Sequence, residues 1–122
     1  MEEAKSIWGP RLWAEIHSTS VKSTPAQFRK YLGNLKNRIP CEECQYHFRS
    51  YVFTNPLSDS DDPVIWAIDF HNEVNGRLHK KILTYQEAFE KINVYQLNHP
   101  VNIVTIILLT GLVAYIIHKK ML

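Results

Sequence analysis

The chain has 122 residues, of which 45% are apolar and 21% are charged, and only two are cysteines. This length suits one compact domain and excludes a large multidomain enzyme. Lys and Arg outnumber Asp and Glu by 14 to 12, but Lys119 and Lys120 stand behind a C-terminal apolar run, and without them the two classes balance at 12 each. A nucleic-acid-binding surface is therefore not indicated.

Apolar residues recur at intervals of three and four between breaks of Pro, Asn, Asp and Ser, a pattern that predicts short helices and no strands. The first helix is predicted to begin near Pro10. The second has Thr24 as its N-cap, Pro25 at the first helical position and Gln27 completing a capping box, and it ends before Pro40. One face of the first helix carries Leu12, Trp13, Ile16 and His17.

Three further helices are predicted along the chain. The third starts at the cysteines and stops at Asn55-Pro56. The fourth, the longest outside the apolar tail, runs from about Pro63 to about Lys80, with Asp61 or Asp62 as its N-cap. The fifth opens with a second capping box, formed by Thr84 and Glu87.

The two ends of the chain differ. The acidic start is not followed by an apolar stretch, so we expect no secretory signal peptide and a mature chain that begins near Met1. Residues 101–117 carry no charge and are followed by a cationic stop, which predicts a transmembrane helix at the short limit of about 17 residues. A buried core helix is the alternative. The predicted fold is all-α, a small four- or five-helix bundle over residues 1–98 with a transmembrane tail anchor over residues 101–118.

The two cysteines stand together as Cys41-Glu42-Glu43-Cys44. They are too close to cross-link distant parts of a fold, so we expect them to serve redox chemistry or metal binding. At the start of a helix the dipole and the unpaired N–H groups favour a thiolate, which the two glutamates oppose. Half of a zinc site looks the same, with His47 or His71 supplying further ligands, but nothing in the sequence completes tetrahedral ligation. We therefore predict a dithiol and no metal.

The predicted fourth helix carries a dense set of polar side chains. At helical spacing they share roughly one face, beside Trp66, Phe70 and Val74. Such a mixed aromatic, imidazole and amide surface could line a planar ligand, with Trp13 and His17 closing the opposite side; a solvated face is the alternative. The polar set is His71, Asn72, Asn75 and His79.

Three segments in this order resemble the Erv/ALR family of FAD-linked sulfhydryl oxidases. They are residues 8–17 (WGPRLWAEIH), residues 40–44 (PCEEC) and residues 71–80 (HNEVNGRLHK). The resemblance covers about residues 8 to 95 and is specific, because three motifs occur together in the family's order and spacing. With one cysteine pair, the chain looks most like the short oxidases encoded by large cytoplasmic DNA viruses.

The resemblance implies a role for each matching residue. Cys41 would exchange disulfides with substrate, and Cys44 would lie next to the flavin. His47 is assigned to the cofactor site, and Arg77 to the cofactor phosphates. The remaining residues that match cofactor contacts are Gly9, Trp13, His17, His71, Asn72, Val74, Asn75, Leu78 and Lys80.

The resemblance also implies FAD as the cofactor, oxygen as the electron acceptor, hydrogen peroxide as the product and a homodimer. With two cysteines the chain has neither the extra structural disulfide nor the shuttle disulfide of many cellular relatives. Electrons must then come directly from protein thiols, a thioredoxin-like redox protein being one candidate. We expect the tail to anchor a cytosolic oxidase domain, in membranes of virus-infected cells or in the virion. The rival hypothesis is a membrane-tethered helical interaction module with a structural or zinc-binding cysteine pair.

Overall fold

A computed structural model describes the backbone of residues 2–97 and 114–120, and the side chains of residues 8–93 and 114–120. Over these residues the regular structure is helical and contains no strand, as the sequence predicts. The five helices within residues 2–97 are α1 (Glu2–Lys22), α2 (Pro25–Leu35), α3 (Glu42–Thr54), α4 (Pro63–Arg77) and α5 (Tyr85–Leu97).

The contacts divide the chain into two units, Met1–Ala88 and Phe89–Leu122. The first holds α1 to α4 and the start of α5. In the second, residues 114–120 are helical and their side chains are exposed. None of the described helices is long and apolar enough to cross a bilayer. Of the predicted membrane span, residues 101–113 lie outside the described residues.

Helix α1 begins at Glu2, well before the predicted start near Pro10, so the proline lies inside the helix. An internal proline removes one backbone hydrogen bond and usually bends or breaks a helix. Here Trp8 and Leu12, on the two sides of the proline, both pack against the core, and this packing stabilises the helix across the proline. The prediction of the start was wrong because tertiary contacts outweigh the local cost.

The predicted caps of the next two helices are confirmed. The Gln27 N–H donates to Thr24 Oγ1 at 3.2 Å, and the Thr24 N–H donates to Gln27 Oε1 at 2.9 Å. Together they form the capping box of α2. Helix α3 has Cys41 as its N-cap and Asn55 as its C-cap, which agrees with the predicted start at the cysteines and the stop at Asn55.

Helix α4 begins as predicted, with Asp62 Oδ1 accepting the Val64 N–H at 2.9 Å. It ends at Arg77, three residues before the predicted end. His79 has a φ of 57°, in the left-handed region that ends a right-handed helix, which is why the helix does not reach Lys80. The second capping box is present before α5, and it includes a 3.2 Å bond from the Glu87 N–H to Thr84 Oγ1.

The core of the first unit lies among α1, α2, α3 and α4. Phe28 and Leu35 of α2 are fully buried, and Ile16 of α1 is nearly so. Trp66 of α4 donates its indole N–H to the carbonyl oxygen of Asn55 at 2.7 Å, which ties the end of α3 to α4. Helix α1 packs against α4. This contact brings the first and third sequence motifs together.

Candidate functional site

The cysteine pair lies at the N-terminus of α3. Cys41 Sγ accepts the backbone N–H of Cys44 at 3.3 Å, and the Cys41 side chain is 1% exposed, whereas Cys44 is half-buried. A backbone donor and the positive end of the helix dipole stabilise negative charge on the Cys41 sulfur. Glu42 and Glu43 occupy the first turn of the same helix and are exposed, so water screens their opposing effect.

A side-chain contact closes the turn before the cysteines. Gln45 donates from Nε2 to the carbonyl oxygen of Ile39 at 2.6 Å, across Pro40 and Cys41. Ile39 is itself buried in the core, so this bond fixes the approach of the chain to α3. Sequence patterns do not predict this contact, because a glutamine bound to a carbonyl six residues earlier matches no capping pattern.

Aromatic and imidazole rings of α1 and α4 form a second cluster. The Trp13 and His71 rings stack at a centroid distance of 3.8 Å and an angle of 5°. His17 Nε2 lies 2.8 Å from His71 Nδ1, a hydrogen-bond distance, and Trp13 also contacts Phe70. The first and third motifs therefore lie side by side, although the prediction placed Trp13 and His17 on the opposite side of a planar ligand from His71. Because the Trp13 and His71 rings are in direct contact, a planar ligand fits against this stack and not between these two rings.

His17 has a perturbed pKa within this cluster. Burial lowers the pKa of its imidazole from 6.5 to about 4. The ring is therefore neutral at pH 7. Its Nδ1 atom is buried and has no hydrogen-bond partner among the described residues. An orphaned buried nitrogen costs free energy, and a bound group that supplies a partner recovers it.

Asn72, one residue after His71, points to another part of the molecule. Its Nδ2 donates to the Leu83 carbonyl oxygen at 2.8 Å, and its Oδ1 accepts the Leu83 N–H at 3.0 Å. Val74 packs against the core. The predicted shared face of α4 thus divides, with His71 against α1 and the Asn72 carboxamide against the chain that follows α4.

The remaining predicted cofactor residues are not joined to the ring cluster by any described contact. Apart from its chain neighbours and the backbone of its own helix, no described atom lies within 4 Å of the position that a Cβ on Gly9 would occupy, so the space beside it is open. His47 Nε2 lies 3.6 Å from Glu43 Oε1, and Arg77 Nη2 lies 3.7 Å from Glu73 Oε1. Each distance spans one helical turn. Asn75 is half-buried, whereas Leu78 and Lys80 are exposed.

No set of three or more His, Cys, Asp or Glu side chains is gathered into a metal-binding group in the part of the chain that the structure describes. The cysteines and the histidines named as possible zinc ligands are therefore not assembled into one site over those residues. The ligand arrangement that the zinc hypothesis needs is not among the described groups.

The sequence of residues 10–94, which is most of the chain, matches the sequence model of the Erv1/Alr family. The chain belongs to the Erv1/Alr family. This confirms the resemblance drawn from the three motifs, and with it the expectation of a thiol oxidase that uses FAD.

Several relatives of this Erv1/Alr protein come from large DNA viruses. An FAD-linked sulfhydryl oxidase of African swine fever virus is 37% identical over 89 residues, which cover 66% of this chain and 75% of the relative. A probable FAD-linked sulfhydryl oxidase of Acanthamoeba polyphaga mimivirus is 28% identical over 97 residues, 70% of this chain and 68% of the relative. A cellular relative, Sulfhydryl oxidase 2 of Arabidopsis thaliana, is 32% identical over 75 residues but is covered over only 15% of its length.

The residues of the ring cluster fit a flavin cofactor. The Trp13–His71 stack presents a flat surface, and the buried His17 Nδ1, which has no partner among the described side chains, could bond to a polar ligand atom. Two exposed basic residues lie at the C-terminal end of α4, Arg77 in its last turn and Lys80 just beyond it, and cations of this kind suit phosphate groups.

A further polar network, which the sequence did not predict, supports α1. Glu15 accepts the Tyr31 hydroxyl at 2.6 Å and pairs with Arg38 at 2.6 Å. The bond to Arg38 lowers the pKa of the Glu15 carboxyl, and burial raises the pKa of Tyr31. The network connects α1 to α2 and to the turn before Cys41. No motif marks it, because its three members are far apart in the sequence.

Proposed function

We propose that the chain introduces disulfide bonds into partner proteins through Cys41 and Cys44, and that oxygen finally accepts the electrons. The observation that carries this proposal is the sulfur of Cys41 at the N-terminus of α3, with the Cys44 N–H donating to it at 3.3 Å. The N–H and the helix dipole favour a thiolate on Cys41, which its burial opposes, and the Cys-X-X-Cys spacing suits a disulfide between the two residues.

Thiol–disulfide exchange sets the order of the steps. In the order that the resemblance implies, a substrate thiolate attacks Cys41 Sγ, the Cys41–Cys44 bond breaks, and Cys44 leaves as a thiolate. Because Cys41 is 1% exposed and Cys44 is half-buried, the chain around Cys41 must open to admit the substrate. The second substrate thiol loses its proton and attacks the substrate sulfur of the mixed disulfide, which releases Cys41 as a thiolate. The substrate loses two electrons and the cysteine pair gains them. FAD, when bound, accepts this electron pair from the dithiol and passes it to oxygen to give hydrogen peroxide.

The cofactor would be held by the ring cluster and by the chain around it. Trp13 and His71 offer a flat stacking surface, and His17 offers its Nδ1 atom, which has no partner in the described part of the chain. Arg77 and Lys80 would neutralise phosphate charge. The resemblance adds contacts from Gly9, His47, Val74, Asn75 and Leu78.

Flavin absorbance and product analysis test the proposal. The purified full chain should be yellow, with an absorption band near about 450 nm that is released on denaturation. With a reduced protein substrate it should form one hydrogen peroxide for each disulfide. A colourless protein that contains stoichiometric zinc and produces no peroxide would favour the interaction module instead.

We also propose a membrane anchor and a homodimer. The anchor is supported by the uncharged run of residues 101–117 and the lysines behind it. The oxidase domain would face the cytosol, on membranes of virus-infected cells or in the virion. The homodimer is supported by the resemblance alone. Light scattering after size-exclusion chromatography of the full chain in detergent tests it, and a fully active monomer would contradict it.

A further inference from the structure

The connection between α4 and α5 is folded back along the last turns of α4. After the left-handed residue His79, the Lys80 N–H donates to the Asn75 carbonyl oxygen at 2.8 Å. Ile82 lies against Gly76, with its Cδ1 atom 3.7 Å from the position that a Cβ would take there. Residues 78–84 therefore follow the surface of α4 closely.

The Asn72 carboxamide is the side chain that fastens this connection. It both donates to and accepts from the main chain of Leu83, at 2.8 Å and 3.0 Å. Paired bonds of this kind fix direction as well as distance, because the oxygen and the nitrogen of the carboxamide must face the N–H and the carbonyl oxygen of the same residue. The next residue, Thr84, is the N-cap of α5, so the fastening also determines where that helix begins.

We propose that Asn72 is a positioning residue for the cofactor site and acts through Leu83 without contacting the cofactor. Its carboxamide holds the connection of residues 78–84, which carries Lys80, in one place beside α4. This inference rests on the proposed function, since it concerns how Lys80 is presented to FAD. It replaces the direct cofactor contact that the resemblance implies for Asn72.

Hydrogen exchange at the Leu83 amide tests the fastening itself. It is measured by mass spectrometry with fragmentation, on the FAD-free full chain in mild detergent. In Asn72→Ala the Leu83 N–H loses its acceptor, and exchange should accelerate by about tenfold or more. Asn72→Asp has the same shape and keeps an acceptor for that N–H, so it should fold and stay within about threefold of wild type. Glu73→Ala, at the neighbouring exposed position, is the matched control and should change nothing.

FAD affinity, measured by flavin fluorescence on the same variants, tests the link to the cofactor. Loss of the fastening in Asn72→Ala should weaken FAD binding by about tenfold, while kcat at saturating FAD and thiol stays within about twofold. Asn72→Asp faces the Leu83 carbonyl without a donor and should lose part of the affinity. The inference is overturned if Leu83 exchange is unchanged in Asn72→Ala, whatever the affinity does, or if exchange accelerates and the affinity does not fall. A wild-type chain that binds no FAD would instead refute the proposed function.

Discussion

Single side chains account for the electrostatics of the candidate site. The buried imidazole of His17 forms a hydrogen bond to His71 through Nε2, while its Nδ1 atom has no partner among the described residues. The neutral ring is the form that this environment tolerates, because burial penalises an imidazolium. Protonation of His17 is therefore coupled to the stability of the contact between α1 and α4.

The stability of the domain should depend on pH through His17. Its pKa is about 4 in the folded chain and 6.5 when exposed, so the unfolded state takes up the proton first as the pH falls. The free energy of unfolding is therefore highest above pH 6.5, and it falls as the pH is lowered from 6.5 to about 4. Between pH 7 and pH 5 the loss attributable to His17 is about 2 kcal/mol. Urea unfolding of wild type and His17→Gln at both pH values measures it; equal losses in the two proteins would contradict it.

The two cysteines should be separable by mutation. Cys41→Ser or Cys44→Ser abolishes turnover of a dithiol substrate, since exchange needs both sulfurs, and FAD stays bound. In Cys41→Ser the remaining Cys44 thiolate next to oxidised flavin should give a long-wavelength absorbance band, and Cys44→Ser should give none. Steady-state oxygen consumption and absorbance spectra check this. Oxidase activity in either variant, or the band in the wrong one, would reject the assigned roles.

His71 should matter to the cofactor more than its neighbour Glu73 does. His71→Ala removes the ring stacked on Trp13, so FAD binding should weaken and the rise of Tm on adding FAD should shrink. Glu73 is exposed and lies 3.7 Å from Arg77, so Glu73→Ala should keep the full rise. Comparing Tm with and without FAD separates cofactor loss from simple destabilisation. The same rise in both variants would mean that this face of α4 does not bind FAD.

The individual helices show what local sequence can and cannot predict. Caps at Thr24, Asp62 and Thr84 were predictable because each one satisfies backbone groups within three residues of itself. The start of α1 was missed because packing on both sides of Pro10 stabilises the helix across it. In the site, motif spacing predicted that Trp13 and the polar face of α4 line one planar ligand, but not that the Trp13 and His71 rings stack directly on each other. It could not predict the partner of Asn72, because the main chain of any residue can serve as that partner.

Burial on the helices predicts a sharp contrast between two phenylalanines. Phe28 of α2 is fully buried against Tyr31 and Trp66, and Phe28→Ala should lower the free energy of unfolding by about 3 to 5 kcal/mol. Phe53 of α3 is 87% exposed, and Phe53→Ala should change it by less than about 0.5 kcal/mol. Thermal or urea unfolding of both variants tests this. A similar loss of unfolding free energy in the two variants would contradict the assignment of Phe28 to the core and of Phe53 to the surface.

At the scale of the whole molecule, the proposed anchor sets a topology that can be tested. A transmembrane segment over residues 101–118 would leave the oxidase domain on one side of the bilayer. The lysines at 119 and 120 favour the cytosolic side for their own end of the span. The resemblance to oxidases of large cytoplasmic DNA viruses favours an oxidase domain in the cytosol. Protease added to intact, sealed membranes should digest the N-terminal domain. Its protection until detergent is added would establish the opposite topology.

The composition of the core in the first unit implies that the domain folds before its cysteines are oxidised. It consists of buried aliphatic and aromatic side chains, and the two cysteines of the chain lie within one turn of each other. A bond between them closes a loop too short to restrain the rest of the fold. Helical domains, whose contacts are mostly local, fold in about microseconds to milliseconds, whereas disulfides form over seconds to hours. The protein can therefore reach its native structure in a reducing compartment before any oxidation, as an enzyme that supplies disulfides to others must.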